Sequence, residues 1–122
     1  MASVLLVDDD KDTCRPLARL LEYMGHEVQH ATSGREALGW LNKMRPNLVL
    51  LDVSMPEMDG LQVLKEMRKN PDLEETPVLM YTALSDAQRR KQALELGARD
   101  YLVKGLTGLG ELQSRISQHL LQ

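Results

Sequence analysis

Residues 4–10 read Val4-Leu5-Leu6-Val7-Asp8-Asp9-Asp10, a short apolar run that ends in three acidic residues. Four consecutive large aliphatic residues are typical of a β-strand that is covered on both faces, as the strands of a parallel sheet are. Four apolar residues then follow at the i, i+3, i+4, i+7 spacing of one helix face: Leu17, Leu20, Leu21 and Met24. The beginning of the chain therefore predicts a buried strand followed by an amphipathic helix.

The same alternation of a strand and a helix repeats to the end of the chain. Four more strands are predicted at residues 27–31, 47–51, 78–81 and 101–103, and the first of these is polar on one side, as at a sheet edge. Repeated βα units imply a parallel sheet with helices on both faces. We therefore predict an α/β protein of the flavodoxin-like (βα)₅ type, doubly wound, with a five-stranded parallel sheet in the order 2-1-3-4-5.

The ends of the helices are predicted from capping residues and from proline. Because an interior proline loses a backbone hydrogen bond, Pro16 should lie near the helix start, and we expect the first helix to begin at about Asp12 or Thr13. Gly25 and Gly97 suit the positions just after the first and fourth helices. Capping boxes that would open the second and fourth helices pair Ser33 with Glu36 and Ser85 with Gln88.

Length and composition limit the classes of protein to which the chain can belong. With 122 residues, it has the size of a single domain, which we predict to span residues 1–122. A net charge of −3 gives no electrostatic reason to expect direct nucleic-acid binding. No apolar run approaches the ~20 residues of a membrane span, and no signal peptide is visible. The single cysteine, Cys14, has no internal disulfide partner, so we expect a cytoplasmic protein with no membrane attachment.

Polar side chains stand where the predicted strands end. Asp8 and Asp9 follow the first strand, Asp52 the third, Thr82 the fourth and Lys104 the fifth. Taken alone, an aspartate at such a position is usually a helix cap or a turn residue. Thr82 or Lys104 taken alone would be an ordinary residue at a strand end. Taken together they favour a site, because the carboxyl ends of parallel strands share one sheet edge and ligands bind where the strand order reverses.

The three aspartates predict a metal ion. Neighbouring strands lie ~5 Å apart, so the carboxylates that follow strands 1 and 3 should crowd together. Carboxylates at that spacing repel each other and some pKa values should rise unless a cation is present. Oxygen ligands with room for water suit Mg²⁺.

Four segments of the chain, residues 4–10, 50–60, 77–83 and 97–104, also carry a family likeness. The second contains Asp52-Val53-Ser54-Met55-Pro56-Glu57-Met58-Asp59-Gly60, and its Met-Pro-x-Met-Asp-Gly run is the most specific motif of the set. In order and spacing these segments resemble the receiver domains of bacterial response regulators, of the chemotaxis-regulator type, over nearly the whole length. The resemblance implies a phosphorylation-controlled switch of two-component signalling.

The resemblance also implies a role for each acidic residue. Asp52 is expected to accept a phosphoryl group from a phosphohistidine in a reaction that depends on Mg²⁺ or Mn²⁺. Asp9 and Asp52 are expected to be ligands of the ion, Asp8 a ligand directly or through water, and the backbone carbonyl of Ser54 a further ligand.

Three further residues are implied to form the switch. Thr82 and Lys104 are expected to bind the phosphoryl group, and Tyr101 to move inward when Thr82 moves. The donor would be a sensor histidine kinase or a histidine phosphotransfer protein, and the unknown output partner would bind the face formed by helix 4, strand 5 and helix 5. Such a domain is a signalling domain rather than an enzyme, since it catalyses only its own phosphorylation and dephosphorylation.

One position departs from the family pattern. Receiver domains usually have a proline directly after the lysine, often with a cis bond, and this chain has Gly105. Because a cis bond before a residue other than proline costs ~3 kcal/mol, we predict a trans 104–105 peptide. Glycine should make this loop more mobile and hold Lys104 less firmly, with slower phosphoryl transfer or switching.

Other functions are compatible with parts of the sequence. Because of the Gly105 departure, a phosphorylation-independent protein-interaction module on the same fold stays open as an alternative. Asp8-Asp9-Asp10 could be the Asp-x-Asp of a haloacid-dehalogenase-type phosphatase, although no segment is available for a cap domain. A flavin-binding protein would carry a loop rich in Ser, Thr and Gly after strand 1, whereas the acidic loop found at that position would repel a phosphate.

Overall fold

Five strands and five α-helices alternate along residues 2–120, the part of the chain that the computed structural model describes. The strands are β1 (Ser3–Val7), β2 (Glu27–Ala31), β3 (Leu48–Leu51), β4 (Val78–Thr82) and β5 (Asp100–Val103). The helices are α1 (Lys11–Tyr23), α2 (Gly34–Lys43), α3 (Gly60–Lys69), α4 (Ala87–Glu95) and α5 (Leu109–Leu120), with a short 3₁₀ helix at Pro71–Leu73. Every helix within residues 2–120 is too short or too polar to cross a lipid bilayer.

The five strands form one parallel sheet in the order β2-β1-β3-β4-β5. This confirms the predicted (βα)₅ architecture and strand order. The half-polar strand β2 lies at an edge, as its sequence indicated. At the centre, Val7 at the end of β1 pairs with Leu51 at the end of β3. The residues that directly follow these two strands are therefore neighbours.

Successive side chains along the central strands point to opposite faces of the sheet, so a buried core forms on each face. Leu5 and Leu51 point into a buried cluster formed with α2, α3 and α4. Leu6 and Leu50 point the opposite way, into a cluster formed with α1 and α5. Both faces are covered, which explains why residues 4–7 of β1 and every residue of β3 are apolar.

Helix α1 begins one or two residues earlier than predicted. The Asp10 carboxylate accepts hydrogen bonds from the amides of Asp12 and Thr13, at 3.1 and 3.2 Å, and so caps a helix that starts at Lys11. Pro16 consequently lies inside the helix rather than at its start. Gly25 follows α1 with a positive φ of 94°, in agreement with its predicted position.

The capping box predicted at Ser85 and Gln88 is wrong. Helix α4 begins one residue later, because Asp86 accepts the Gln88 amide at 2.8 Å and also binds the guanidinium group of Arg89. Ser85 and Asp86 are both good N-cap residues by type, and the additional Arg89 contact favours Asp86.

The starts of α2 and α3 differ in detail from the predicted capping pattern. Ser33 caps α2 by accepting the Glu36 amide at 3.1 Å, as predicted, but Glu36 reaches back to the amide of Thr32 instead of Ser33. At α3, Asp59 and Gln62 form a full capping box with two bonds of 2.9 Å. Its Asp-x-x-Gln sequence lacks the Ser or Thr of the usual signature.

The loop from β3 to α3 brings the backbone of Gly60 against that of Asp52. The Gly60 amide donates to the carbonyl of Val53 at 3.0 Å, and a Cβ atom on Gly60 would lie 2.1 Å from the carbonyl oxygen of Asp52. Backbone atoms cannot yield as a flexible side chain can, so this approach requires glycine. The start of α3 thereby fixes the position of the Asp52 backbone.

We therefore expect Gly60→Ala to be strongly destabilising. The added methyl group should lower the free energy of unfolding by about 1–3 kcal/mol, because it must displace the Asp52 backbone. Gly39→Ala is the matched control, since a Cβ on this residue of α2 meets nothing within 4 Å and should be neutral or slightly stabilising. Urea denaturation measures both changes, and equal stability of the two variants would contradict this packing.

Candidate functional site

Three carboxylates converge where β1 and β3 end. One oxygen each of Asp8, Asp9 and Asp52 lie within 4.8 Å of one another. Asp8 and Asp52 are only 2% and 6% exposed, whereas Asp9 faces the solvent. The amide of Asp52 donates to the carbonyl of Val7 at 3.0 Å, which extends the pairing of the two strands to the cluster itself. The predicted convergence of these aspartates is present.

Backbone amides orient the two buried carboxylates. The Asp10 amide donates to Asp8 Oδ1 at 2.9 Å, and the Ser54 amide donates to Asp52 Oδ1 at 3.0 Å. This second bond places Ser54 beside the cluster, while its carbonyl as a metal ligand stays a prediction. The remaining oxygen of each carboxylate, Oδ2, faces the side chain of Lys104.

Lys104 reaches this pocket from the end of β5, two strands away from β3. Its ammonium group donates a hydrogen bond to Asp8 Oδ2 and lies 3.4 Å from Asp52 Oδ2. Its side chain is 15% exposed, and the ammonium group also lies 5.6 Å from the centre of the Tyr81 ring. Burial alone would lower the pKa of Lys104, but the bond to Asp8 and the charges of Asp52 and Asp8 raise it overall. The lysine is therefore a firmly charged cation between two buried anions.

The Asp52 carboxyl has a raised pKa. Burial is the largest cause, and the nearby charge of Asp8 acts in the same direction. Hydrogen bonds from the Thr82 side chain and the Ser54 amide oppose the rise, as does the charge of Lys104. Burial prevails over these opposing interactions, so the charged form of Asp52 is disfavoured.

The pocket has the donor set of a hard divalent cation. Carboxylate oxygens from Asp8, Asp9 and Asp52 face one another, and the exposure of Asp9 leaves a side open to water. Mg²⁺ typically takes one or two carboxylates and keeps several waters, which agrees with this arrangement. These three residues fit the ion that their sequence positions predicted.

Thr82 and Tyr101 both contact the backbone of Leu84. Thr82 is fully buried as the last residue of β4, and its hydroxyl oxygen accepts the Leu84 amide at 3.3 Å. The Tyr101 hydroxyl donates to the Leu84 carbonyl at 2.7 Å, and its ring is turned inward and 4% exposed. Residue type gives no signal for this link in the sequence, because it uses main-chain atoms of Leu84.

Two further side chains that carry no signal in the sequence border the cluster. A ring nitrogen of His30 on β2 lies 3.0 Å from the carbonyl oxygen of Asp8. Cys14 on α1 is 1% exposed and lies beneath the pocket. Its burial raises the pKa of its thiol, and a hydrogen bond to Asp8 adds a smaller rise. A buried thiol that stays neutral packs in the core and is a poor nucleophile.

The 104–105 peptide is trans, as predicted, and residues 2–120 contain no cis peptide bond. Lys104 occupies the pocket although Gly105 replaces the usual proline. The expected mobility of this loop and the slower transfer or switching stay predictions.

Comparisons with known proteins agree on one family. Residues 4–117 match the model of the response regulator receiver domain. The chain is 45% identical over 113 residues to a Galdieria sulphuraria protein named "Probable transcriptional regulator ycf27", a match that covers 93% of this chain and 43% of that protein. It spans less than half the length of the curated relatives it matches in this group.

Solved structures show the same relationship. The chemotaxis protein CheY4 of Vibrio cholerae superposes with a TM-score of 0.89 at 32% identity, covering 97% of this chain and 98% of that one. The signal receiver domain of a signal transduction histidine kinase from Syntrophus aciditrophicus gives a TM-score of 0.90 at 35% identity, covering 99% of this chain and 91% of that one.

The raised pKa of Asp52 predicts how stability depends on pH without metal. Because the folded-state pKa lies above the unfolded value, the contribution of this group to stability is present at low pH and is lost as pH rises through the folded-state pKa. In EDTA at pH 7, Asp52→Asn should therefore raise the melting temperature by a few degrees. The gain should shrink as pH falls towards the ordinary aspartate pKa. Calorimetry of both proteins measures it, and a lower melting temperature of Asp52→Asn at pH 7 would contradict the assignment.

Proposed function

This chain belongs to the response regulator receiver domain family, and we propose that it is a phosphorylation-controlled switch whose phosphoacceptor is Asp52. The observation that carries the proposal is the convergence of Asp8, Asp9 and Asp52 with Lys104 in one pocket. In this proposal a phosphohistidine of a sensor histidine kinase or a histidine phosphotransfer protein is the donor.

In the proposed reaction the Asp52 carboxylate acts as the nucleophile. One of its oxygens attacks phosphorus, the bond from phosphorus to the histidine nitrogen breaks, and the nitrogen keeps the electron pair and takes a proton. The product is an acyl phosphate. The Ser54 amide holds Oδ1 of Asp52, so the carboxylate cannot rotate freely before attack.

Charge compensation is the main requirement of this step, because an anion attacks an anionic group. Asp9 and Asp52, with Asp8 directly or through water and the Ser54 carbonyl, would hold Mg²⁺ or Mn²⁺. When bound, such an ion neutralises charge on the phosphoryl oxygens. Lys104 supplies a second positive charge and can exchange its contact with Asp52 Oδ2 for one with a phosphoryl oxygen.

Phosphorylation would change the hydrogen bonds of Thr82. The new group adds about −1.5 to −2 charge and strong acceptor oxygens, which favours a Thr82 hydroxyl that donates to it. Thr82 and Tyr101 are both bonded to the Leu84 backbone, which leads into α4. A movement of Thr82 would therefore also move the Leu84 backbone and the start of α4. We propose that the face formed by α4, β5 and α5 is the surface that binds the output partner.

The name of one relative bears on the output partner. The Galdieria relative is named a transcriptional regulator, and the chain matches less than half of it. We propose that contacts with nucleic acid, where such a protein makes them, lie outside these 122 residues, because a net charge of −3 offers no basic surface field. The domain itself acts in the cytoplasm as a signalling domain and not as an enzyme on other substrates.

Incubation with acetyl phosphate and MgCl₂, followed by intact-mass measurement, tests the proposal. We expect one phosphoryl adduct on the wild type, lost in Asp52→Asn and after addition of EDTA. Asp72→Asn is the matched control, since Asp72 is an exposed aspartate paired with Arg45 outside the pocket, and it should keep the adduct.

Two outcomes would contradict the assignment. An undiminished adduct in Asp52→Asn would remove Asp52 as the acceptor. A wild type that forms no adduct with acetyl phosphate or with a phosphorylated histidine kinase would favour the phosphorylation-independent interaction module.

A further inference from the structure

The chain reverses direction directly after β5 in a tight turn. The Val103 carbonyl accepts hydrogen bonds from the amides of Leu106 and Thr107, at 3.1 and 3.0 Å. The first of these bonds closes a four-residue β-turn with Lys104 and Gly105 as its two central residues.

The φ angles of the two central residues fit a type II turn. Gly105 has a φ of +85°, close to the +80° that a type II turn requires at its third residue. Lys104 has a negative φ, because Glu57 is the only non-glycine residue with a positive φ between residues 2 and 120. This combination excludes the type I′ turn, in which both central residues have a positive φ.

Two anchors thus fix the backbone of Lys104. On its amino side, the Lys104 amide donates to the Thr82 carbonyl at 2.8 Å, which continues the pairing of β5 with β4. On its carboxyl side, the turn fixes the peptide that joins it to Gly105. The side chain leaves the backbone between these anchors and reaches Asp8 and Asp52.

The requirement for glycine is conformational rather than steric. A Cβ atom on Gly105 would meet nothing within 4 Å, so space is available for a side chain. An L-residue nevertheless adopts this φ only at a cost, and asparagine adopts it more readily than other residues do. A substitution of Gly105 therefore changes the cost of the backbone conformation without causing a steric clash.

We propose that Gly105 is a positioning residue for phosphoryl transfer, because its left-handed conformation closes the turn that directs Lys104 into the carboxylate pocket. This inference rests on the proposed function of Asp52. Gly105 touches no reacting atom and acts through the lysine that precedes it.

The initial rate of phosphorylation by acetyl phosphate tests this role. We expect Gly105→Ala to react roughly tenfold more slowly than wild type, since strain relieved by opening the turn misplaces Lys104. Gly105→Asn should recover most of the rate, because asparagine tolerates the left-handed region.

Gly25→Ala is the matched control for backbone strain. Gly25 has a φ of +94°, a Cβ there also meets nothing within 4 Å, and the residue follows α1 outside the pocket. Gly25→Ala and Gly105→Ala should lose similar thermal stability, but only Gly105→Ala should lose phosphorylation rate.

A second comparison asks whether Gly105 acts through Lys104. In a Lys104→Ala background, adding Gly105→Ala should slow the reaction no further. The proposal is overturned if Gly105→Ala reacts as fast as Gly25→Ala, or if it slows the Lys104→Ala protein by the same factor as the wild type. A wild type without an adduct would overturn the proposed function itself and this inference with it, and that result is distinct from the two above.

Discussion

Two buried carboxylates at the ends of neighbouring strands set the main electrostatic constraint of this molecule. Pairing of β1 with β3 forces Asp8 and Asp52 together, and both lie almost out of contact with water. Buried charges are costly unless they are paired and hydrogen-bonded. Lys104 supplies the pairing from β5, and backbone amides supply hydrogen bonds. Burial of Asp52 outweighs these interactions and raises its pKa, and a nearby cation would favour the charged form again.

The pocket is connected to an element that is weakly held by packing. Of the nine residues of α4, all within the described part of the chain, only Ala93 is buried. The far end of this helix is held by Arg68 of α3, which donates to the carbonyls of Leu96 and Gly97 at 3.0 and 3.1 Å. An element with few buried contacts can shift at low cost, so α4 is suited to respond when the Leu84 backbone before it moves.

Much of this arrangement follows from the sequence, since burial on both faces makes residues 4–7 of β1 and all of β3 apolar and leaves the aspartates at the first positions after these strands. The features that escape prediction depend on which of several possible contacts form in the folded chain. The choice of Asp86 over Ser85 as a cap depends on Arg89, and the link between Thr82 and Tyr101 uses main-chain atoms. Sequence reasoning treats Gly105 as a loss of rigidity. In the structure it has a positive φ, in a turn that the local hydrogen bonds of Leu106 and Thr107 to the Val103 carbonyl close.

The central claim is that these carboxylates form one site for a divalent cation beside the Asp52 oxygen. Anomalous diffraction from crystals grown with Mn²⁺ in place of Mg²⁺ tests it directly, because the peak locates the ion independently of the protein coordinates. The account predicts a dominant peak bonded to oxygens of Asp9 and Asp52, with Asp8 as a direct or water-mediated neighbour. A dominant peak elsewhere on the molecule, with none among these three residues, would contradict it.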